Sequence, residues 1–311
     1  MKVIVIVGPT ASGKTALSLK LAKKYNAEII SADSRQVYRG MDIGTAKAPI
    51  SSAIRRGRRV ETKSSVISSG IPHHLVDIKY PNQDYSLGQF KKDALKAMRD
   101  ITNRGKIPML VGGTGLYISA MVNNLDIPAI KPNKHLRKKL EKMIRRHGTY
   151  YGFGKLTALD PEAAYIVDPR NSRRIIRALE IALISKKPFS TARKKGPPLF
   201  DFLILGLDMP PEKLKNRIGK RVETMVRAGL VKEVKKLIKK YGKRRVPFDA
   251  IGYREIIDYL DKKITLREAI KQIKRNTWRF ARRQMTWFRR LPVTWIKKQK
   301  HAEKAIAKFL S

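Results

Sequence analysis

The stretch Val3–Thr15, VIVIVGPTASGKT, decides the fold. Its first five residues are a continuous apolar, β-branched run. Such a run reads as a strand buried on both faces, the kind a parallel sheet requires. The next eight, Gly8, Pro9, Thr10, Ala11, Ser12, Gly13, Lys14 and Thr15, meet the spacing G-x-x-x-x-G-K-[ST]. The glycines let the chain wrap tightly with its N–H groups pointing inward. Lys14 adds a point charge, the Thr15 hydroxyl can ligate Mg²⁺, and the helix that follows contributes its positive end. The pattern therefore predicts a phosphate cradle, without saying whose phosphates it holds.

Working outward, helical periodicity runs from Thr15 to about Tyr25, and AEIIS (27–31) reads as a second strand ending at Ala32-Asp33-Ser34. KIPMLVGG (106–113) and FDFLILGLD (200–208) read as two more. Strands alternating with helical pieces predict an α/β fold: a parallel sheet with helices on both faces, of the P-loop nucleoside-triphosphate-hydrolase type. Two segments interrupt it. Residues 50–70, ISSAIRRGRRVETKSSVISSG, are rich in Ser, Arg and Gly and read as a mobile basic loop. Residues 124–198 carry helical patterns with no buried-strand run and end at Gly196-Pro197-Pro198. They are expected to form a helical insertion domain, leaving 1–123 and 199–311 as the catalytic core. The last third is helical, with stops at Gly229, Gly242 and Pro292.

Composition narrows the partners. The 311 residues carry 69 Lys plus Arg against 25 Asp plus Glu, a net charge of +44. An excess this large suits a polyanion, either nucleic acid or an acidic membrane surface. There are no cysteines, which excludes disulfides, Cys-ligated zinc and thiol nucleophiles. The N-terminal apolar run is too short for a signal peptide and leads straight into the Gly loop, and no run approaches a membrane span. A soluble cytoplasmic protein with no membrane partner is expected.

A nucleotide kinase or hydrolase adds to its phosphate loop an apolar strand ending in Asp for Mg²⁺. IPMLVGG ends in Gly112-Gly113-Thr114, without an acid, whereas AEIISAD ends in Asp33. That carboxylate could serve as a metal ligand, as a base, or as a turn or cap residue. A small-molecule kinase using ATP would share the loop and Asp33 but leaves the charge unexplained. A non-catalytic RNA-binding module explains the charge but not Thr10, Lys14, Thr15 and Asp33 together.

Longer blocks separate these readings. GPTASGKT, ADSRQVYRGMDIGTAK (32–47), PHHLVDI (72–78) and LVGGTGLY (110–117) stand in this order, followed by DPRNSRRIIRALE (168–180), LGLDMP (205–210), RIGKRVETMVRAGLVKEV (217–234), AIGYREIIDYL (250–260) and RRQMTWFRR (282–290). Together they closely resemble the tRNA dimethylallyltransferase family over most of the chain. The resemblance implies transfer of a dimethylallyl group from dimethylallyl pyrophosphate to N6 of the adenosine 3′-adjacent to the anticodon, with the phosphate loop (residues 8–15) gripping pyrophosphate and Mg²⁺ at Thr15. It implies Asp33 as the base, Thr10 close to the reacting centre and Arg221 on the pyrophosphate. It further implies tRNA contacts by Asp33, Ser34, Arg35, Gln36 and Thr114, by Arg173, Arg174 and Arg177 in the insertion, and by Asp249, Gly252, Tyr253 and Arg254. A monomer acting on the anticodon stem-loop is expected. The chemistry asks for such a set, because an exocyclic adenine amine is a poor nucleophile and pyrophosphate departs with its charge.

Three further stretches carry expectations. KPNKHLRKKLEKMIRRH (131–147) predicts a helix with charge on most sides, which by itself reads as a solvated face and, given the resemblance, as a contact for an RNA backbone. In KRNTWRFARRQMTWFRR (274–290) and the residue before it, Ile273, Phe280 and Trp287 fall seven apart and predict an apolar stripe, with Arg275, Arg279 and Arg282 on a basic one; the Trp residues read as core. His73-His74 reads as structural rather than as a metal site. The link between Pro49 and Pro72 is longer than the family's usual one and reads as an RNA-binding loop or as inert padding; Arg55, Arg56, Arg58 and Arg59 suggest auxiliary phosphate contact.

Overall fold

Why the apolar runs form a sheet is visible in its two faces. The computed structural model describes residues 1–48, 65–128, 130, 133–191 and 196–311. Among them seven strands, β1 (Lys2–Val7), β2 (Ala27–Ser31), β3 (Ser65–Ser68), β4 (Ile71–His74), β5 (Ile107–Val111), β6 (Asp201–Leu207) and β7 (Thr294–Ile296), form one sheet in the order β3-β4-β2-β5-β1-β6-β7. All neighbours are parallel except β3 and β4. Ile4 faces Met109 across β1 and β5, and Ile30 faces Leu110 across β2 and β5.

The helices are α1 (Lys14–Lys24), α2 (Leu87–Asn103), α3 (Gly115–Val122), α4 (Lys134–His147), α5 (Thr149–Leu159), α6 (Ala163–Ile166), α7 (Ser172–Ser185), α8 (Pro211–Arg227), α9 (Leu230–Tyr241), α10 (Tyr253–Leu260), α11 (Leu266–Phe288) and α12 (Gln299–Leu310). Side chains alternate along a strand. Val3, Val5 and Val7 therefore pack with Phe90, Ala94 and Met98 of α2 and Ile118 of α3. Ile4 and Ile6 turn the other way, onto Leu21 of α1 and Ala302 and Ile306 of α12. A third cluster joins Val37, Tyr38 and Met41 to α8, α9, α10 and α11.

Three strands escaped the sequence. β3 and β4 lie at or beside the segment expected to be a loop. They are joined by Ser69-Gly70, both at positive φ (51° and 77°), the backbone of a two-residue hairpin turn. The Ser-Gly pair between β-branched residues carried that signal, but the Ser- and Arg-rich composition hid it. β7 is three residues long, too short for periodicity to register. Residues 49–64, with Arg55, Arg56, Arg58 and Arg59, lie outside the described residues, as do Lys131 and Pro132 of the basic stretch.

The chain divides into two compact units: Met1–Val122 with Leu199–Ser311, and Asn123–Pro198. The second holds α4–α7 around Leu140, Ile144, Leu156, Ile175 and Leu179. At its centre Glu180, with no exposed surface, accepts from Arg137 and Arg177 and from the Asn133 N–H.

In α11 the expected apolar stripe is interrupted. Ile273 is buried and Trp287 partly so, but Phe280 is exposed. The buried face runs Ala269, Ile273, Ala281, Gln284 and Phe288. Positions seven apart on a straight helix differ by only about 20°, so Phe280 keeps the angle of the buried face and is exposed by its place along the helix, with Arg283 lying over its ring. Trp278 and Trp295 pack against the clusters on either side. Among the described residues no helix is long and apolar enough to cross a membrane.

Candidate active site

Strands β2, β5 and β1 lie side by side, so their C-terminal ends deliver three loops to one edge of the sheet, where α/β folds place ligands. The loop after β1 is the phosphate cradle. Ala11 and Gly13 take positive φ (62° and 100°), and Gly13 precedes the first turn of α1. The Lys14 amine folds back onto the carbonyls of Gly8 and Pro9, at 2.8 Å each. Its burial, and then the nearby Arg221 guanidinium, push its pKa down to about 7, while the charge of Asp33 opposes them. Ser12 Oγ is buried with no partner among the described residues.

The loop after β2 carries Asp33. Its Oδ1 accepts from the backbone N–H of Arg35 (2.8 Å) and, more weakly, of Gln36 (3.4 Å), an Asx turn that fixes the carboxylate. The same carboxylate acts on Lys14 and on Arg221. Burial lowers the Arg221 pKa and Asp33 raises it. Phosphate-loop lysine, strand-end carboxylate and helix α8 arginine therefore share one field.

The loop after β5 latches the second. Thr114 Oγ1 accepts from the Ser34 N–H at 3.1 Å, and the Thr114 N–H donates to the Ala32 carbonyl at 3.2 Å. The approach is close enough to require glycine, since a Cβ on Gly112 would sit 2.2 Å from the Ala32 oxygen.

Several of the residues expected to touch RNA also make hydrogen bonds within the protein. The Gln36 amide bonds Ser31 Oγ (3.1 Å) and the Thr45 carbonyl (3.3 Å). Tyr253 is fully buried, and its hydroxyl donates to Glu233 at 2.6 Å; Gly252 is buried beside it. Arg177, in the other unit, is bound to Glu180 and to the Ile130 carbonyl. Gly252 and Tyr253 are thus enclosed, whereas Gln36 and Arg177 are half-buried and keep exposed surface beside these bonds. Ser34 and Arg35 are half-buried on the Asp33 turn, and Arg35 donates to the Val246 carbonyl. Asp249 and Arg254 are exposed. In the second unit Arg173 is exposed and Arg174 half-buried in the first turn of α7.

Two site residues were missed. Gln284 is buried in α11. Its Oε1 accepts from the Thr10 N–H and its Nε2 donates to the Gly113 carbonyl, both at 2.8 Å. It thereby ties the tip of the phosphate loop to the loop after β5. The signal was a polar residue on the buried face of an amphipathic helix. Arg217 lies one turn before Arg221 on α8, its guanidinium 3.4 Å from where a Cβ on Gly13 would be. The i, i+4 spacing in RIGKR was the signal there.

His74 bonds Glu28 at 2.7 Å, and His73 Nδ1 lies 2.9 Å from the Ile71 carbonyl. Both are tied into the strand edge. Burial alone would raise the Glu28 pKa; hydrogen bonds from Arg104, Lys106 and His74 outweigh it and hold it near 2.

Known proteins resemble this chain along most of its length. The family model described as IPP transferase matches residues 36–291. The chain is 44% identical over 301 residues to a tRNA dimethylallyltransferase of Acetivibrio thermocellus, covering 95% of this chain and 91% of that one. It is 44% identical over 315 residues to that of Carboxydothermus hydrogenoformans, covering 100% and 96%. A crystal structure of the full-length tRNA isopentenylpyrophosphate transferase of Bacillus halodurans superposes with a TM-score of 0.70 at 40% identity, covering 99% and 96%. A eukaryotic dimethylallyltransferase captured acting on tRNA gives 0.70 at 30% identity, covering 92% of this chain and 69% of that one.

Proposed function

This chain belongs to the IPP transferase family, and we propose that it moves a dimethylallyl group from dimethylallyl pyrophosphate to N6 of the adenosine 3′-adjacent to the anticodon in tRNA. The single observation that carries the reading is the shared field of Lys14, Asp33 and Arg221 where the phosphate loop meets the end of β2. Cations suit the leaving group and a carboxylate suits the nucleophile, and both stand at one place.

The step is a substitution at the allylic carbon. The bond from that carbon to the pyrophosphate oxygen breaks, and its electron pair leaves with pyrophosphate. A bond forms from N6 to the carbon, and N6 passes a proton to Asp33. The N–H groups of Gly13, Lys14 and Thr15 at the start of α1, with the Lys14 amine, Arg217 and Arg221, neutralise the charge that develops on the leaving group. Gln284 keeps Thr10 in place beside the reacting carbon.

The residues present suit Mg²⁺. Among the described residues no group of three or more His, Cys, Asp or Glu side chains forms a protein-made cage. Thr15 stands exposed at the start of α1, and Mg²⁺ is commonly held by one or two protein oxygens plus substrate phosphate and water. Held by Thr15 and the pyrophosphate, the ion would supply further charge neutralisation on the leaving group.

For the RNA, we assign direct contact to Asp33, Ser34, Arg35, Thr114, Asp249 and Arg254, and to Arg173 and Arg174 of the second unit. Gln36 and Arg177, both half-buried, are assigned with them, and Gly252 and Tyr253 support them from inside. The adenosine comes from a single-stranded loop, so unstacking it costs little. We take the enzyme as a monomer acting in the cytoplasm. Mass spectrometry of unmodified tRNA after incubation with Mg²⁺ and dimethylallyl pyrophosphate tests the reading. One added dimethylallyl group on the adenosine 3′ of the anticodon is the expected product; its absence overturns the reading.

A further inference from the structure

The strip from Asp33 to Lys47 carries the proposed base, yet little of it is regular structure. Residues 43–46 are consecutive turns. What holds this strip is a side chain nearly two hundred residues away. Glu233, on α9, accepts from three successive backbone N–H groups: Asp42 at 3.0 Å and Ile43 at 2.7 Å on Oε2, and Gly44 at 3.1 Å on Oε1. Tyr253 donates to the same Oε1 at 2.6 Å. Successive N–H groups turned to one side make an anion nest, and charge-assisted bonds of this kind are the strong ones. Here the protein's own carboxylate fills it.

Beneath the nest the fit is close. A Cβ on Gly44 would stand 2.4 Å from the Tyr253 ring. From the other side the Lys47 amine, with its side chain 3% exposed, donates to the Tyr38 carbonyl, to Asp42 at 2.7 Å and to Asp77. The hold passes inward to the catalytic turn. Thr45 donates its hydroxyl to the Met41 carbonyl, and its own carbonyl accepts from the Gln36 amide. Gln36 is the last residue of the turn that Asp33 Oδ1 closes.

We infer that Glu233 is a positioning residue for prenyl transfer, setting the placement of Asp33 through the 41–47 loop and Gln36. The inference rests on the transferase reading above. It predicts a particular split. Glu233 has no bond to the phosphate loop among those described, so its loss should slow the transfer step and spare donor binding.

In Glu233→Ala, kcat at saturating tRNA and donor should fall at least tenfold with the donor KM within twofold. Sodium formate, whose carboxylate can enter the emptied nest, should restore kcat several-fold where sodium chloride at equal ionic strength does not. An unchanged kcat, a donor KM that rises in step with the fall in kcat, or a failure of formate to restore anything each overturns the inference. Glu233→Gln, of equal size, provides a second measurement that needs no turnover. Amide hydrogen exchange should accelerate at Asp42, Ile43 and Gly44 and also at Arg35 and Gln36. Acceleration confined to 42–44 overturns the coupling to Asp33. Absence of transfer by the unmodified enzyme would instead remove the transferase reading, while the exchange result would still stand or fall for Glu233.

Discussion

The phosphate loop and the Asp33–Lys47 strip bring the two halves of the proposed reaction together, and they are held in opposite ways. The loop is shaped mostly by itself. Ser12 bonds Pro9, Lys14 bonds Gly8 and Pro9, and Gly13 starts the helix; its one described remote tie is Gln284. The strip is shaped from afar, by Glu233 and Tyr253 on one side and Asp77 on the other. In the proposed reaction, gripping the leaving group would use a local motif, whereas placing the base would depend on the packing of α9 and α10.

The sharpest way to break the comparison is to remove the base and leave its scaffold. Asp33→Ala should lower kcat by about 10²–10⁴-fold, the range of general-base contributions, with tRNA binding largely intact. The Asp33 charge also lies in the field of Lys14 and Arg221. Its removal leaves that end more positive, so pyrophosphate should inhibit the variant at least as well as the wild type. A kcat close to wild type would show that the strip does not carry the base.

A change in the scaffold alone comes next. Gly44→Ala sets a methyl group into the Tyr253 ring, and overpacking of this kind costs about 1–3 kcal/mol. Denaturant unfolding should report that loss, and the same methyl placed on exposed Gly154, where nothing lies within 4 Å, should cost far less. Equal effects at the two positions would mean that the strip is not tightly held.

Gln284→Leu probes the loop's one remote tie. It leaves the Thr10 N–H and the Gly113 carbonyl without their partner, at about 1–3 kcal/mol for a buried pair broken on one side. A rise of about tenfold in donor KM is expected, from steady-state kinetics at saturating tRNA. An unchanged KM would make the phosphate loop self-sufficient and widen the contrast with the strip.

This contrast also governs how far the sequence could be read. The phosphate loop, β1, β2, β5 and β6 were legible because each is coded by residues adjacent in the chain: a glycine spacing, or a β-branched run. Asp33 stood out because it ends such a run. Gln284, Arg217 and Glu233 were not legible, because their main-chain partners lie 171 or more positions away or their neighbour is on another element, and only folding brings them together. Tyr253 shows the converse. It sits in a family-like block, which marks it as part of the site, yet it is fully buried; the sequence does not distinguish a residue that touches substrate from one that holds the residue that does. β3 and β4 were lost to composition, although Ser69-Gly70 carried the turn.

The smallest effect tests the loop's own chemistry. Burial and the Arg221 charge leave Lys14 with a pKa of about 7 in the ligand-free site. Pyrophosphate brings negative charge against the amine, which favours the protonated form and raises that pKa in the complex. The sign follows. Below pH 7 the amine is already charged and affinity is at its plateau. Above pH 7 binding must first take up a proton, so affinity falls as pH rises, by about fivefold between pH 7 and 8 for a single group of this pKa. Calorimetry of pyrophosphate binding at pH 8, in two buffers of different ionisation heat, should show net proton uptake by the complex. Lys14→Arg keeps a charge that does not titrate in this range, so the uptake should vanish in that variant. Equal uptake in both proteins would assign the proton to the ligand instead and leave the loop's lysine charged throughout.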